Sequence, residues 1–375
     1  MKLIHVADVH LDAPNHSLGA RAAELRRHTW EAWERAIDAA IERGVQLFIV
    51  AGDLFDVRDP APGTMDRAFR GIERLANATP AIDVALLPGT HDCWAAGGLW
   101  EAPRVRALPH SVHVLAGPGS ATVPLPHLDA IVHGCAHRCD IGGQRPLSEL
   151  RAEPAAAINI GVVHASPERG DVQDGALFST DELAASGMDY VALGHWHTWQ
   201  EIAAGDATAV MPGSVEVPGF GDWQTGSVSL VTLGEGPARV ERLTVGTLQA
   251  REITIDAGDL RGTEDLVARI ERDADTNLLL EVRLSGLAPP GALIDLETAM
   301  ERLTGTFFAL RIRDRSHPAL DDLDEQHLDE RLTLGRFVEL TRARIEAADN
   351  EDDRRVAERA LQIGVSMLRR AGDAT

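Results

Sequence analysis

The sequence predicts a layered α/β protein, and three observations predict it. Short apolar runs alternate with amphipathic, helix-period segments through the first two-thirds of the chain. Of 375 residues, 44% are apolar and 25% charged, a globular mix able to bury a core and long enough for two or three domains. The residues able to do chemistry stand where apolar runs stop, as in α/β sheets whose sites lie outside the strand ends.

In chain order, Leu3–Ala7 reads as a strand and the region Ala20–Arg43 as a charged amphipathic helix that Gly44 stops. Val45–Ala51 is a second strand, Met65–Asn77 a helix, and Val84–Leu87 a third strand ended by Pro88-Gly89. Ala130–Gly134, Ile158–Val163 and Tyr190–Leu193 are further strands. Val210–Leu233 reads as strand and turn, with glycines at 213, 219, 221 and 226. These elements make a first domain, 1–246.

The pattern changes near Gly246. Glu252–Ile255, Leu278–Leu284 and Phe307–Ile312 read as strands, and Thr263–Arg272 and Leu293–Leu303 as helices, giving a small α/β domain, 247–320. A loop with Pro318, Asp321, Asp322, Asp324 and Glu325 follows. The tail, 321–375, is helical. Ala357, Ala360, Leu361, Gly364, Val365 and Leu368 make one apolar stripe, and Leu334, Phe337, Val338 and Ile345 belong to an upstream helix, with a break at Ala348–Asp353. Two readings stay open for this pair: a hairpin packed on its own domain, or a docking surface for a partner.

The formal charge is −22, and Lys2 is the only lysine. Such a chain repels anionic partners at long range, which counts against loose coating of nucleic acid but not against a site where cations reverse the sign locally. No apolar run approaches the roughly 18–20 residues of a membrane span, and the N-terminus lacks a signal-peptide pattern. Three cysteines, an odd number, argue against a disulfide scaffold and for a cytoplasmic location. Cys135 and Cys139 lack the complement of a zinc site, and Cys93 reads as a small buried filler.

Five strand ends carry metal-ligand residue types: Asp8-Val9-His10, Gly52-Asp53, Gly89-Thr90-His91-Asp92, His164, and Gly194-His195-Trp196-His197. In Asp8-x-His10, residues two apart point the same way if the chain stays extended, so both reach one ion; His195 and His197 are spaced alike, and either one ion takes both or two ions share the pair. Mixed oxygen and imidazole donors suit Mn²⁺, Fe or Zn²⁺. Trp94, Trp100, Trp196, Trp199 and Trp223 fall near these loops, either to stack on unpaired bases or to pack beneath the loops. Arg58 follows the second motif as a candidate phosphate contact.

The order D-x-H, G-D, G-N-H-[DE], H, G-H-x-H resembles the calcineurin-like metallophosphoesterase superfamily over residues 1–235. Gly52-Asp53-Leu54-Phe55-Asp56 is similar to its SbcD-type nuclease branch. Ala7–Pro14 and Pro212-Gly213-Ser214 are similar to the YhaO-like bacterial subfamily of DNA repair exonucleases. The resemblance implies a two-sheet sandwich flanked by helices, with a small α/β capping domain and a helical tail that binds an SbcC-like ATPase.

It further implies two divalent metal ions, Mn²⁺ first, with Mg²⁺, Fe or Zn²⁺ as alternatives. One ion takes Asp8, His10, Asp53 and His197; the other takes Asp53, Thr90, His164 and His195. Such a pair, roughly 3.5–4 Å apart, clamps a phosphoryl group. His91 would protonate or stabilise the leaving group, with Asp92 orienting its ring. The implied activity is DNA exonuclease and endonuclease chemistry on ends or single strands, in a cytoplasmic protein that engages no membrane; relatives often dimerise through the nuclease domain, and whether this chain forms a homodimer stays open. Thr90 departs from the family's asparagine, and its shorter hydroxyl implies a looser second metal site. A small-molecule phosphodiesterase or phosphatase, and a weakly active regulatory subunit of the ATPase, are the alternatives.

Overall fold

Short, mostly apolar runs become strands covered on both faces. Lys2–Val6 (β1), Leu47–Ala51 (β2) and Asp83–Leu87 (β3) lie parallel, and every residue of β2 and β3 is buried. Parallel strands need covering layers on each side, and the intervening helices Ala22–Glu42 (α1) and Pro62–Ala76 (α2) supply one of them. Trp33 and Ile37 of α1 and Phe69 and Ile72 of α2 seal that outer face against Phe48, Val50 and Val84.

The structure is a computed structural model and describes residues 1–168, 175–289, 292, 294–318, 333–348 and 350–372. The acidic loop read at Asp321–Glu325 and the helix start at Leu293 lie outside these residues.

Besides a pair of two-residue strands, Ser166–Pro167 with Leu177–Phe178, the remaining strands described in the first unit are Val112–Val114 (β4), Ser120–Leu125 (β5), Ala130–Cys135 (β6), Ile158–His164 (β7), Tyr190–Gly194 (β8), Gln200–Ala204 (β9), Ala207–Met211 (β10), Ser227–Thr232 (β11) and Arg239–Thr244 (β12). They complete two six-stranded sheets, β12-β11-β1-β2-β3-β4 and β9-β10-β8-β7-β6-β5. The sheets share a core in which Leu3, Leu47, Ile49 and Leu87 pack with Val132, Ile160, Tyr190 and Val210. On the far face of the second sheet, Leu147, Phe178 and Leu183 cover Val163, Val191 and Ala209.

The region read as strand and turn over Val210–Leu233 divides between the sheets: β10 joins one and β11 the other. Strands β4, β5, β9 and β12 had no clear sequence signal. Each is short or half-exposed, and none carries the unbroken apolar run of a central strand.

The described chain divides at Ala250/Arg251 into two compact units. The division falls within Gln249–Asp256 (β13), most of which lies in the second unit and forms a three-stranded sheet with Asp275–Ser285 (β14) and Phe307–Asp314 (β15). Helices Thr263–Ile270 (α3) and Leu296–Arg302 (α4) accompany it, with Leu266, Ile270, Leu280, Val282 and Leu303 in its core. The helices Thr333–Glu346 (α5) and Glu351–Gly372 (α6) belong to the same unit and pack through Val338, Leu361 and Val365. A Cβ on Gly364 would stand 2.1 Å from the Phe337 ring, so glycine sets how closely these helices approach.

Candidate metal centre

The loops after β1, β2, β3, β7 and β8 converge, and the backbone there is under strain. Asp8, His10 and Asp53 sit near φ +50° and His195 at φ +112°, a region that residues with a Cβ rarely occupy. Strain of this kind persists where the surroundings over-determine it, typically at functional sites. It also corrects the extended-chain reading of Asp8-x-His10: both residues are left-handed, so sharp turns rather than a pleat turn the two side chains into one space. Glycines provide the room. A Cβ on Gly194 would stand 2.1 Å from the Ala51 carbonyl and 2.6 Å from His164 Nδ1, and one on Gly89 would stand 2.2 Å from Asp53 Oδ1.

Asp53 occupies the middle. Its Oδ2 lies 3.2 Å from His164 Nε2 and 3.8 Å from His10 Nε2, and accepts a hydrogen bond from Thr90 Oγ1 at 3.0 Å. Its Oδ1 accepts the His91 amide at 2.8 Å. On one side His10 Nε2 faces His197 Nε2 at 3.2 Å; on the other His164 Nε2 faces His195 Nδ1 at 3.3 Å. Asp8 accepts the His195 amide through both oxygens at 3.0 Å. Donor atoms of Asp8, His10 and His197 lie within 4.8 Å of one another, as do those of Asp8, Asp53 and His164. Every residue the sequence singled out as a ligand, Thr90 included, is therefore in this cluster.

The back sides of three of the imidazoles are anchored. His10 Nδ1 meets Asp56 Oδ1 at 3.1 Å, His197 Nδ1 meets Asp222 Oδ1 at 3.5 Å, and His164 Nδ1 meets the Ala51 carbonyl at 2.9 Å. With Nδ1–H donating outward, Nε2 of these three rings presents a lone pair to the centre, the usual arrangement behind a metal-bound histidine, while His195 turns its Nδ1 inward. Two lone pairs facing at 3.2 Å repel unless a cation stands between them. That separation matches two ligands on one ion with bonds of about 2.0–2.1 Å. The donor set thus fits divalent cations.

The charges agree. Burial disfavours a charged His164, yet the Asp53 carboxylate, with Asp8 behind it, overcomes this and pushes its pKa up to about 10. Burial likewise opposes ionisation of Asp53, but His164 and His10 hold its carboxyl well below the usual range. His197 is raised too, Asp222 and Asp8 outweighing its burial. The pocket is built to hold positive charge.

His91 is different. Its side chain is 48% exposed, and a hydrogen bond to Asp56 raises its pKa to about 9. It lines an open cleft with Asp56, Val57, Arg58, Asp59 and Thr90. Arg58 stands exposed in that cleft.

Two expectations are corrected. Asp92 does not orient the His91 ring. Fully buried, it accepts the amides of Gly89 (2.7 Å) and Phe55 (3.1 Å), so it ties the His91 loop to the Asp53 loop. Burial, helped by the nearby Asp53 charge, pushes its pKa up to about 7. The ring is held by Asp56. Cys93 is not a filler either: it forms a disulfide with Cys139, against the expectation from the odd cysteine count. The tryptophans are partly or wholly packed. Trp100 is buried and donates to the Asp92 carbonyl, while Arg138 covers Trp94 and Arg242 covers Trp199.

Sequence reasoning passed over Asp56 and Asp222. Asp56 had a signal, three residues after Asp53 in a motif already singled out. Asp222 had none, since a glycine-rich turn brings it back to His197.

The sequence profile described as calcineurin-like phosphoesterase matches residues 1–199. A Bacillus subtilis protein, the uncharacterized metallophosphoesterase YhaO, is 24% identical over 77% of this chain and 72% of its own. The DNA double-strand break repair protein Mre11 of Sulfurisphaera tokodaii is 23% identical over 74% of this chain and 70% of its own. Mre11 of Saccharolobus solfataricus is 24% identical over 56% of this chain, which spans about half (53%) of that relative's length.

Proposed function

The chain belongs to the calcineurin-like phosphoesterase family, and from that premise we propose that it is a metal-dependent phosphodiesterase whose substrate is DNA, cut at ends or in single strands. One observation carries the reading of the reaction. An exposed imidazole, His91, stands at the cleft with its proton-bearing state favoured by Asp56, and its backbone amide is fixed to Asp53, whose other carboxylate oxygen faces both His164 and His10. Asp8, His10, Asp53 and His197 would hold one divalent cation, and Asp53, Thr90, His164 and His195 the other. When bound, such cations activate water and neutralise charge on a phosphoryl group.

The chain's own groups supply the rest. His91 Nδ1 is occupied by Asp56, leaving Nε2 to give a proton to the departing oxygen. Asp92 and the strained turns fix the distance between that proton and the metal donors. The likeness to Mre11 proteins, named for double-strand break repair, supports DNA as the substrate. Mn²⁺ suits the mixed donors. The helical pair α5–α6 leaves Leu340 and Val356 exposed, which supports the reading of a docking surface for an SbcC-like ATPase.

A second reading, a small phosphodiester as substrate, draws on the charge. The protein carries −22, and the cleft sets Asp56 and Asp59 against Arg58 and the protonated His91, so it offers no cationic excess. The test sets Mn²⁺-loaded protein against labelled single-stranded DNA, duplex DNA and bis-p-nitrophenyl phosphate. DNA cleavage that disappears in His91→Ala supports the nuclease. Turnover of the small ester with DNA intact supports the second reading, and inertness toward all three overturns both.

A further inference from the structure

The disulfide lies on a seam that reaches the catalytic loop. Three backbone hydrogen bonds join the segment after β3 to the segment after β6. His137 N donates to Pro88 O (3.2 Å), Trp94 N to His137 O (2.8 Å), and Cys139 N to Trp94 O (3.1 Å). Cys93–Cys139 closes the same seam, with Cα atoms 5.3 Å apart. Because β3 and β6 belong to different sheets, the cross-link spans the sandwich at the end where the site assembles. Cys93 is two residues from His91 and adjoins Asp92, whose carboxylate clasps the loops after β2 and β3. Freedom at Cys93 is therefore freedom at His91.

We propose that Cys93–Cys139 is a reversible thiol–disulfide site that sets how firmly the His91 loop is held: locked when oxidised, loosened when reduced by a dithiol. Cys139 is partly exposed and Cys93 nearly buried, so a dithiol attacks the Cys139 sulfur. The S–S bond breaks, Cys93 leaves as thiolate and takes a proton, and a mixed disulfide forms on Cys139. The second thiol of the reductant then closes on the first, releasing Cys139 as a thiol and the reductant as a cyclic disulfide. Two electrons pass from the dithiol to the protein. The third cysteine does not intervene. Cys135 is buried, with its thiol 3.7 Å from Glu149, and burial pushes its pKa up to about 12, so it stays protonated and unreactive. The seam's backbone bonds do not depend on the disulfide, so reduction loosens the loop without dismantling it.

The effect on turnover rests on the phosphodiesterase reading; the effect on the loop does not. The experiment therefore reads both, in the full chain, oxidised and dithiol-reduced, beside Cys93→Ser/Cys139→Ser and Cys135→Ser. Amide exchange over residues 89–94 should quicken several-fold on reduction of the wild type and of Cys135→Ser. It should be already fast, and unresponsive, in the double variant. Turnover of bis-p-nitrophenyl phosphate should fall with the same pattern and return on reoxidation. The double variant also reports any direct effect of the dithiol on the metals. Unchanged exchange over 89–94 on reduction overturns the proposal, as does a disulfide that mass spectrometry maps to Cys135. If exchange responds while no ester is hydrolysed in either state, the redox site stands and the phosphodiesterase reading falls.

Discussion

The His91 ring rests on Asp56: Nδ1 lies 3.0 Å from the Asp56 carbonyl and 3.4 Å from its carboxylate. The same carboxylate meets His10 Nδ1 at 3.1 Å. One residue thus braces a metal donor and the proposed proton donor together. Asp56→Asn should lower kcat by about 10–100-fold, the usual cost of removing a carboxylate behind a metal-binding histidine. Steady-state kinetics at saturating Mn²⁺ check this, and the second expected outcome is weaker metal binding by calorimetry.

His91→Ala should separate proton transfer from metal binding. Losing a general acid costs about 10²–10⁴-fold in rate. The His91 ring does lie within 4.8 Å of donor atoms of His10 and Asp56, but it is not among the seven residues proposed to hold the two ions, so calorimetry should return wild-type affinity for those two while turnover collapses.

Asp92→Ala should behave as a stability variant first. It strips the buried amides of Gly89 and Phe55 of their acceptor, and each orphaned donor costs about 1–3 kcal/mol. A clear drop in Tm by calorimetry is expected, whereas His91→Ala, exposed at the cleft, should leave Tm within a degree or two of the wild type.

Thr90 should leave the two metal affinities unequal. Its hydroxyl already donates to Asp53 Oδ2 and offers a short, neutral oxygen to the side of His164. Titration of chelator-stripped protein with Mn²⁺ should resolve a tighter and a weaker step. Thr90→Asn, which supplies an amide carbonyl, should narrow the gap and raise activity at limiting metal.

Acid should destabilise the fold through His5. The ring is fully buried, its Nδ1 against the Tyr190 hydroxyl at 2.9 Å, and burial lowers its pKa from 6.5 to about 3. Between those values the unfolded chain binds a proton that the folded one refuses, so stability is whole above pH 6.5 and declines as pH falls toward 3. The slope is on the order of 1.4 kcal/mol per pH unit for one such group. The difference in Tm between pH 7 and pH 4.5 should shrink in His5→Gln, measured against the wild type.

The cluster of metal donors was legible because each lies at the end of, or within a few residues after, a mostly apolar run. Such a run forms a buried strand wherever it falls, and the central strands of an α/β sandwich deliver their ends to one place. Asp8, His10, Asp53, His164, His195 and His197 needed no knowledge of long-range contacts to be picked out, whereas Thr90 was named only through the resemblance to the family's asparagine. The edge strands Ser120–Leu125 and Arg239–Thr244 were missed for the converse reason: half their side chains face water, so composition does not mark them.

What the chain alone decided was the residue types and the strand ends that carry them, since apolar periodicity is local and survives in one dimension. What only the tertiary structure decided was which carboxylate serves which ring, and which cysteines meet. Asp56, not the sequence neighbour Asp92, reaches His91, because the left-handed turn at Asp53 sends its loop across the cleft while Asp92 turns inward. Cys93 and Cys139 stand 46 residues apart and pair because two sheets stack. Contacts of that kind are set by packing between layers, which no local pattern records.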